Sequence, residues 1–305
     1  MNTELRIPMP HANTVYLNGQ FLSKEKALIS PEDRGFYFAD GVYEVVKYYK
    51  GRPFRFAEHM VRLQNSLTGV RIGFNRIDEL YGICDRLVAE NSLLSSYAGV
   101  YIQITRGVAP RTHSFPTDDI APTLYIRAFI MPPFLTEMRS GIRVICREDI
   151  RWHRCNIKSI ALLPNTLIFQ EAVEAGAFEC LLIRDGVFTE ATHSNVMMVM
   201  NGTVHTHPDS TNILPGITKA EVLEMCSGLQ INVVEKPVKA DEISNLEECF
   251  ITGTGSEVMP VIQIDDRIVG KGVPGPITRL LQKAFFKITY EKLAKEKITM
   301  NNEKI

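Results

Sequence analysis

The chain has 305 residues, of which 45% are apolar and 23% are charged, and its formal net charge is −1. These proportions are ordinary for a globular protein, and the length exceeds what a single core usually supports, so we expect two domains. The balanced charge excludes a global attraction to nucleic acid or to an anionic membrane surface, and we expect neither as a partner.

The sequence pattern also argues against membrane insertion and secretion. No stretch approaches the roughly 20 apolar residues of a membrane span, and residues 1–13 contain no apolar core of a signal peptide. The six cysteines are scattered without a C-x-x-C pair or zinc-site spacing, which favours reduced, mostly buried thiols. We therefore expect a cytoplasmic protein without a metal site.

The first part of the chain predicts a sheet with two helices. Its predicted strands are 14–17, 20–22, 42–49, 99–105 and 122–130, and its predicted helices are 56–67 and 77–90. The sequence Met131-Pro132-Pro133-Phe134 then favours a stiff, extended connection between packed units. We predict a small domain of residues 1–131, a linker of residues 132–139 and a larger domain of residues 140–305.

The second part of the chain again mixes strands and helices. Its predicted strands are 141–147, 179–183, 196–200, 203–205, 231–235 and 248–252, and its predicted helices are 159–175, 219–229, 240–245 and 277–305. Strands and helices mixed within two lobes predict an α+β fold.

Lys158 is the first candidate for chemistry. It lies in an apolar context, directly after Ile157 and before Ile160-Ala161-Leu162-Leu163. A lysine is costly to bury as a cation, so this setting favours the neutral amine that Schiff-base chemistry requires. The alternative is a lysine that extends its charged end from an apolar helix start into water, and the segment alone does not decide between them.

Glu190 follows 32 residues after Lys158, between two strand-like runs. A carboxylate beside a pyridine nitrogen keeps that nitrogen protonated and makes the ring an electron sink, whereas an isolated glutamate is more commonly a solvated turn residue. The segments 214–218 and 251–257 have the Gly and Thr content of loops that bind phosphate at a helix N-terminus, although ordinary turns and caps share it. Arg62 is a candidate cation for the same phosphate.

Several short motifs recur along most of the chain in a fixed order. They are Asp33-Arg34-Gly35, Asp40-Gly41-Val42-Tyr43-Glu44, Glu58-His59 with Arg62-Leu63, Asp149-Ile150-Arg151-Trp152 with Ile157-Lys158-Ser159, Glu190 with Ser194-Asn195, Gly216-Ile217-Thr218 and Thr252-Gly253-Thr254. Over roughly residues 14–285 they resemble the fold-type IV pyridoxal-phosphate enzymes. That family contains branched-chain aminotransferases, D-amino-acid transaminases, (R)-selective amine transaminases and aminodeoxychorismate lyases.

The resemblance implies pyridoxal 5'-phosphate as cofactor, a homodimer, a small α/β sandwich-like N-terminal domain and a larger C-terminal pseudo-barrel domain. Residue by residue, Lys158 matches the Schiff-base lysine, Glu190 the carboxylate at the pyridine nitrogen, Leu214 the residue packed against the ring, and Arg62, Ile217, Thr218 and Thr254 the phosphate-binding positions. In such an enzyme Lys158 also carries the substrate Cα proton, and two successive half-reactions give ping-pong kinetics.

The segment 105–116 bears on the substrate. It resembles the loop of D-amino-acid transaminases in which an Arg-x-His pair binds the substrate carboxylate, with Arg111 and His113 at those places. An arginine fork matches a carboxylate with two parallel hydrogen bonds, and an imidazole can donate another. Without the family context, the same loop is equally typical of a polar surface segment.

Two positions depart from the family pattern. Phe36 stands directly after the Asp-Arg-Gly motif, where D-amino-acid transaminases have a tyrosine, and in a strand the next residue, Tyr37, would point to the opposite face. The lost hydrogen bond should cost on the order of 1 kcal/mol, which leaves room for some (R)-amine turnover. His193 stands where the family often has a small residue, and the sequence does not explain it.

Reversible amino transfer between a D-amino acid, such as D-alanine or D-glutamate, and a 2-oxo acid is therefore the predicted function. Branched-chain L-amino-acid transamination is the alternative that the overall resemblance supports and the loop opposes, and mixed D-amino-acid and (R)-amine activity is another. Cleavage of aminodeoxychorismate would be a different reaction on the same fold. A non-enzymatic role would require the lysine, the glutamate and the phosphate segments to coincide by chance.

Overall fold

The computed structural model describes residues 13–116 and 120–293 of the chain. These residues form two compact units: residues 13–116, 120–132, 159–161 and 293 belong to the first, and residues 133–158 and 162–292 belong to the second. The predicted division into domains 1–131 and 140–305 with a linker at 132–139 stays a prediction about independent folding.

The first unit is built on a six-stranded sheet. Its strands are β1 (Thr14–Leu17), β2 (Gln20–Ser23), β3 (Gly41–Tyr49), β4 (Arg52–Pro53), β5 (Tyr97–Thr105) and β6 (Thr123–Ile130). They lie in the order β2-β1-β6-β5-β3-β4, and every neighbouring pair is antiparallel. All five strands predicted in this part of the chain are present.

Two helices, α2 (Phe56–Gly69) and α3 (Leu80–Glu90), pack on this sheet, and α3 is preceded by a 3-10 turn at Ile77–Glu79. The apolar residues of α2 recur at helical spacing, so Leu63 and Leu67 fall on one buried face while Val61 is exposed. Both helices were predicted from this periodicity.

The prediction that Phe36 and Tyr37 are extended is wrong, because residues Arg34–Phe38 form a short helix, α1. Asp33 is its N-cap and accepts a hydrogen bond from the Gly35 N–H at 2.7 Å. A polar cap of this kind favours helix over strand. Neighbouring side chains on a helix are separated by roughly 100° and not by 180°, so Tyr37 does not face away from Phe36 as a strand would require.

The second unit contains a nine-stranded sheet. Its strands are β7 (Ile142–Glu148), β8 (Glu179–Arg184), β9 (Val187–Ala191), β10 (Asn195–Met200), β11 (Thr203–Thr206), β12 (Val233–Glu235), β13 (Glu248–Gly253), β14 (Glu257–Ile264) and β15 (Arg267–Ile268). The order is β12-β11-β10-β13-β14-β7-β8-β9, with β15 paired to β14. Only residues 192–194 join the edge strand β9 to the interior strand β10, so the sheet curls into a half-barrel. The predicted α+β fold is confirmed.

The helices of the second unit are α4 (Leu135–Ser140), α5 (Leu163–Glu174), α6 (Ile217–Gly228) and α7 (Pro276–Phe286), with a 3-10 helix at Ala240–Asn245 and a π-helix at Lys287–Leu293. No helix among the described residues is long and apolar enough to cross a membrane. The helix predicted for 277–305 is confirmed in its first part, and residues 294–305 lie outside the described residues.

Two predicted helix starts are wrong. The helix predicted from residue 159 begins at Leu163, because Ser159 forms an antiparallel bridge with Val42. The segment 251–257 does not open a helix but turns from β13 into β14, whose sequence from Val258 to Ile262 is rich in β-branched residues. Both outcomes depend on strand pairing with residues remote in sequence.

The packing of α2 gives a stability prediction. Leu63→Ala should lower the free energy of unfolding by about 2–5 kcal/mol, because Leu63 is 0% exposed and its removal leaves a cavity. Val61→Ala on the same helix should change it by less than about 0.5 kcal/mol, since Val61 is 61% exposed. Urea unfolding followed by far-ultraviolet circular dichroism measures both. Equal effects would contradict the assignment of the buried face.

Candidate active site

Lys158 lies in the segment between β7 and α5 and is half-buried between the buried residues Ile157 and Ser159. The Cys155 N–H donates a hydrogen bond to the Thr211 carbonyl at 2.8 Å. This bond ties the segment to the chain that leads into α6. The lysine is therefore carried on an ordered backbone and does not extend from a helix start.

Glu190 is a buried residue of β9, with 4% of its surface exposed, so it is not a solvated turn residue. Its Oε2 accepts hydrogen bonds from Asn195 Nδ2 at 3.0 Å and from the Leu214 N–H at 3.1 Å. Its Oε1 accepts one from Arg151 Nη1. Burial raises the pKa of Glu190, and the charge of Arg151 only partly offsets this. Such a carboxylate would be stabilised further by a neighbouring cation, which fits a protonated pyridine nitrogen.

Arg151 is itself fixed by a second buried carboxylate. Its Nε and Nη2 donate to the two oxygens of Asp149, both at 2.8 Å, and Arg184 Nη2 lies 3.0 Å from Asp149 Oδ1. Burial raises the pKa of Asp149, but the hydrogen bonds and charge of Arg151 outweigh it and hold that pKa below its usual value. The Asp-x-Arg spacing, which places both side chains on one face of an extended segment, was the available sequence signal.

Ile217 and Thr218 lie in the first turn of α6, as a phosphate-binding role requires. Gly216 is the N-cap, and no described side chain caps this helix end, so the first backbone N–H groups are available to an anion. A Cβ on Gly216 would lie 1.9 Å from Asn195 Oδ1. Asn195 Nδ2 also donates to the Leu214 carbonyl at 2.9 Å, so this one side chain connects Glu190 to the start of α6.

Thr254 lies in the turn between β13 and β14, beside a group of hydroxyls. Thr252 Oγ1 is buried and has no hydrogen-bond partner among the described residues. Ser194 Oγ lies 3.2 Å from Ser256 Oγ, and a Cβ on Gly253 would lie 3.1 Å and 2.8 Å from these two oxygens. A buried hydroxyl without a partner beside a glycine that leaves room fits a phosphate group.

Sequence reasoning assigned no role to Ser194, Thr252 or Ser256. They meet because β10 pairs with β13 so that Asn195 lies opposite Thr252. This pairing joins residues far apart in sequence, and no local pattern reveals it. The remaining predicted residues of the second unit, Lys158, Glu190, Leu214 and Thr218, keep their roles as predictions.

Arg62 lies on α2 in the first unit and is almost completely buried. Its Nε and Nη2 donate to the two oxygens of Glu44 at 2.7 and 2.8 Å, and His59 Nδ1 lies 2.8 Å from Glu44 Oε2. Burial raises the pKa of Glu44, but the charges and hydrogen bonds of Arg62 and His59 outweigh it and hold that pKa far below its usual range. The guanidinium is thus oriented by a carboxylate, and its predicted contact with phosphate stays a prediction.

Arg111 and His113 lie on an exposed loop of the first unit and share one aromatic neighbour. The guanidinium carbon of Arg111 lies 5.3 Å from the centre of the Phe38 ring, and the His113 ring centre lies 5.6 Å from it. The structure thus brings the two predicted carboxylate ligands to the same ring. Phe36, which replaces a tyrosine, is 77% exposed.

His193, which the sequence did not explain, interacts with a buried carboxylate. Its Nδ1 lies 3.0 Å from Oε2 of Glu179, a residue with no exposed surface. Its ring packs edge-to-face on Phe169, with ring centres 4.9 Å apart. The histidine therefore covers a buried charge, which a small residue could not do.

Comparisons with known proteins agree with this geometry. Residues 41–264 match the family model described as amino-transferase class IV. The D-alanine aminotransferase of Bacillus licheniformis is 41% identical over 88% of this chain and 95% of its own length. That of Staphylococcus epidermidis is 38% identical over 90% and 96%, respectively.

Solved structures give the same result. The branched-chain amino acid aminotransferase of Escherichia coli superposes with a TM-score of 0.85 and 26% identity, over 92% of this chain and 95% of that chain. A thermophilic branched-chain enzyme, from T.th., was solved with pyridoxamine 5'-phosphate and superposes with a TM-score of 0.84 and 25% identity, over 94% and 97%.

The close approach of Asn195 to Gly216 predicts the effect of one added methyl group. Gly216→Ala should weaken binding of pyridoxal 5'-phosphate roughly tenfold or more, because overpacking at this contact typically costs about 1–3 kcal/mol. Gly228→Ala at the other end of α6 is the matched control, since a Cβ there would meet nothing within 4 Å. Titration of the cofactor-free protein, followed by cofactor absorbance, measures both affinities. Equal affinities would contradict the proposed role of this contact.

The buried ion pair of the first unit predicts a pH dependence. The folded-state pKa of Glu44 lies below its unfolded value of about 4.3, so its stabilisation is complete above that pH and is lost as the pH falls through the folded pKa. Glu44→Gln should lower the free energy of unfolding by about 3–5 kcal/mol at pH 7, since it leaves buried Arg62 without its carboxylate. The gap between wild type and variant should shrink below about pH 4.

Urea unfolding at pH 7, 5 and 3.5 measures this gap. Glu58→Gln is the control, because Glu58 lies on the same helix but is exposed and only 3.5 Å from Arg55. A gap that stays constant from pH 7 to 3.5 would show that the Glu44 charge does not stabilise the fold.

Proposed function

The chain belongs to the class IV aminotransferase family, and we propose that it transfers amino groups reversibly between D-amino acids, such as D-alanine and D-glutamate, and 2-oxo acids. The two relatives named as D-alanine aminotransferases support this substrate class. The observation that carries the proposal is the loop on which Arg111 and His113 meet at the ring of Phe38. A guanidinium and an imidazole held together are suited to one carboxylate.

The family's cofactor is pyridoxal 5'-phosphate, which when bound supplies an electron sink for the carbanion formed at the substrate Cα. The buried Glu190 and the hydroxyls around Gly253 fit its ring nitrogen and its phosphate. We assign Lys158 to covalent attachment, Glu190 to the ring nitrogen, Leu214 to ring packing, and Arg62, Ile217, Thr218 and Thr254 to the phosphate.

The residues of the chain then divide the work. Lys158 Nζ acts as the general base that removes the proton from the substrate Cα, and it holds that proton until the acid step. Glu190 keeps the ring nitrogen protonated, and its position is set by Arg151 and Asn195. One site serves the amino donor and then the 2-oxo acid acceptor, so ping-pong kinetics follow.

The carboxylate ligands select the enantiomer. When the substrate carboxylate is bound, the remaining three substituents of Cα can occupy only a limited set of positions. The substituent that faces the base must be hydrogen, and fixing the carboxylate decides which enantiomer meets this condition. Arg111 and His113 are the residues to which we assign this selection.

The branched-chain L-amino acids are a second candidate, favoured by the structural similarity to branched-chain aminotransferases. The Arg-x-His loop favours D-amino acids instead. Phe36 offers no hydroxyl to the substrate carboxylate, and this supports some additional turnover of (R)-amines.

We also propose that the protein is a cytoplasmic homodimer. The family resemblance supports the dimer. The six cysteines are all free and five of them are buried, which supports a reducing compartment. The near-neutral charge supports small molecules, not nucleic acid or membranes, as its ligands.

A screen of single half-reactions tests the substrate class. Each amino donor, mixed with the purified protein carrying its cofactor, should remove the visible absorption band, and D-alanine and D-glutamate should do so faster than L-leucine or L-valine. Lys158→Ala should abolish this reaction, whereas Lys287→Ala, at an exposed lysine, should not change it. If L-leucine is fastest, the D-amino-acid proposal is wrong and the branched-chain candidate replaces it.

The assignment of Arg111 predicts a selective loss. Arg111→Ala should raise the KM for D-alanine roughly tenfold or more, because a hydrogen-bonded charge pair with the substrate is lost. The KM for (R)-1-phenylethylamine, which has no carboxylate, should stay within about twofold. Steady-state kinetics with both donors measure this, and equal increases would exclude Arg111 as the carboxylate ligand.

A further inference from the structure

The loop of residues 108–116, here called the carboxylate loop, is exposed but attached to a buried side chain. Arg34 Nη1 donates to the Thr112 carbonyl at 2.8 Å and lies 3.4 Å from the Ser114 carbonyl, which accepts a second, longer hydrogen bond. These two carbonyl groups flank His113, and Thr112 also directly follows Arg111. One guanidinium therefore fixes the backbone at the two proposed carboxylate ligands.

Arg34 is well suited to this task because it is rigid. It is 2% exposed, and its Nε donates to Asp40 Oδ2 at 2.8 Å. Burial raises the pKa of Asp40, but the hydrogen bonds and charges of Arg106 and Arg34 outweigh it and keep that pKa below its usual value. The carboxylate is thus charged at neutral pH and orients the guanidinium.

A second arginine links the same carboxylate to the end of the carboxylate loop. Arg106 Nε and Nη2 donate to Asp40 Oδ2 and Oδ1 at 2.7 and 2.9 Å. Its guanidinium carbon lies 3.7 Å from the centre of the Phe115 ring, a cation–π distance. Asp40 therefore stands between two arginines that each hold a different part of the loop.

Phe38 completes the arrangement. The guanidinium carbon of Arg34 lies 4.7 Å from the centre of its ring, on which Arg111 and His113 also lie. The ring is therefore placed between the arginine that fixes the loop backbone and the two side chains that the loop carries. Packing against this half-buried ring limits the rotamers that exposed Arg111 and His113 can adopt.

We propose that Arg34 is a positioning residue for substrate carboxylate recognition: it holds the carbonyl groups on both sides of His113 and so orients Arg111 and His113 before substrate binds. Asp40 and Phe38 support it in this role. Side chains that are already oriented lose less conformational entropy on binding, so preorganisation lowers KM for carboxylate substrates. The inference rests on the proposed function, since that function makes Arg111 and His113 the ligands.

Arg34→Lys is the main variant, because lysine keeps the charge but lacks the planar fork that reaches Asp40 and the loop carbonyl groups together. It should raise the KM for D-alanine roughly tenfold and leave kcat and the KM for (R)-1-phenylethylamine within about twofold. Arg86→Lys is the matched control, because Arg86 also pairs with a carboxylate, Glu90, and stacks on a ring, Phe21, but does not touch the loop. An unchanged KM for D-alanine in Arg34→Lys, or an equal rise for the amine, overturns the proposal.

A double variant separates positioning from a general loss of structure. If Arg34 acts through Arg111, then Arg34→Lys/Arg111→Ala should have the same KM for D-alanine as Arg111→Ala alone. Multiplicative effects of the two substitutions overturn the proposal. Phe38→Leu, which removes the ring without disturbing the ion pairs, should raise the same KM in a second, independent variant.

Hydrogen exchange provides a readout that does not depend on the substrate. In the holoenzyme, the backbone amides of residues 107–116 should exchange roughly tenfold faster in Arg34→Lys than in wild type or Arg86→Lys. Unchanged exchange means that Arg34 does not hold the loop, whatever the reaction is. Failure of the proposed function is distinguishable, because it is seen in wild type as a preference for other donors while the exchange result still decides whether Arg34 orders the loop.

Discussion

A carboxylate buried without water must be matched by cations and hydrogen-bond donors, and Glu190 imposes this requirement on much of the second unit. Its partners are the Arg151 guanidinium, the Asn195 amide and the Leu214 N–H. Arg151 belongs to the segment that carries Lys158, and Leu214 belongs to the segment that leads into α6. Satisfying one buried charge therefore orders both segments with respect to β9.

The first unit uses the same device twice. Glu44 is satisfied by Arg62 and His59, and Asp40 by Arg34 and Arg106. In both cases the carboxylate has little exposed surface, and breaking such a pair costs more than the pair contributes, because the remaining charge is left buried. The arrangement thus fixes the direction of arginines, and it gives an exposed loop and a buried helix face the rigidity that ligand recognition requires.

Local patterns were sufficient for most elements of the fold. The alternation in 42–49 and the helical spacing in 56–67 each have one dominant solution, since a shift by one residue would expose apolar side chains. The prediction failed where short segments depend on remote partners. Residues 36 and 37 follow an N-capping aspartate, and the turn 253–256 is defined by the pairing of β13 with β14, which the chain order does not reveal.

The candidate site shows the same division. The order and spacing of Lys158, Glu190 and Thr218 were enough to suggest the cofactor, because each role needs a particular functional group at a particular place along the chain. The hydroxyls of Ser194 and Ser256 carried no such signal, since serine is common in turns and only the register of β10 against β13 brings the two together.

The sequence by itself determined the α+β architecture, the resemblance to fold-type IV enzymes and the residue types available for chemistry, because periodicity and motif order are properties of the chain. Only the tertiary structure decided which charges satisfy each other: Arg151 with Glu190, Arg62 with Glu44, and Arg34 with the carbonyl groups beside His113. The physical reason is that burial makes an unmatched charge costly, and its partner is chosen by distance in space, which strand register and loop path set.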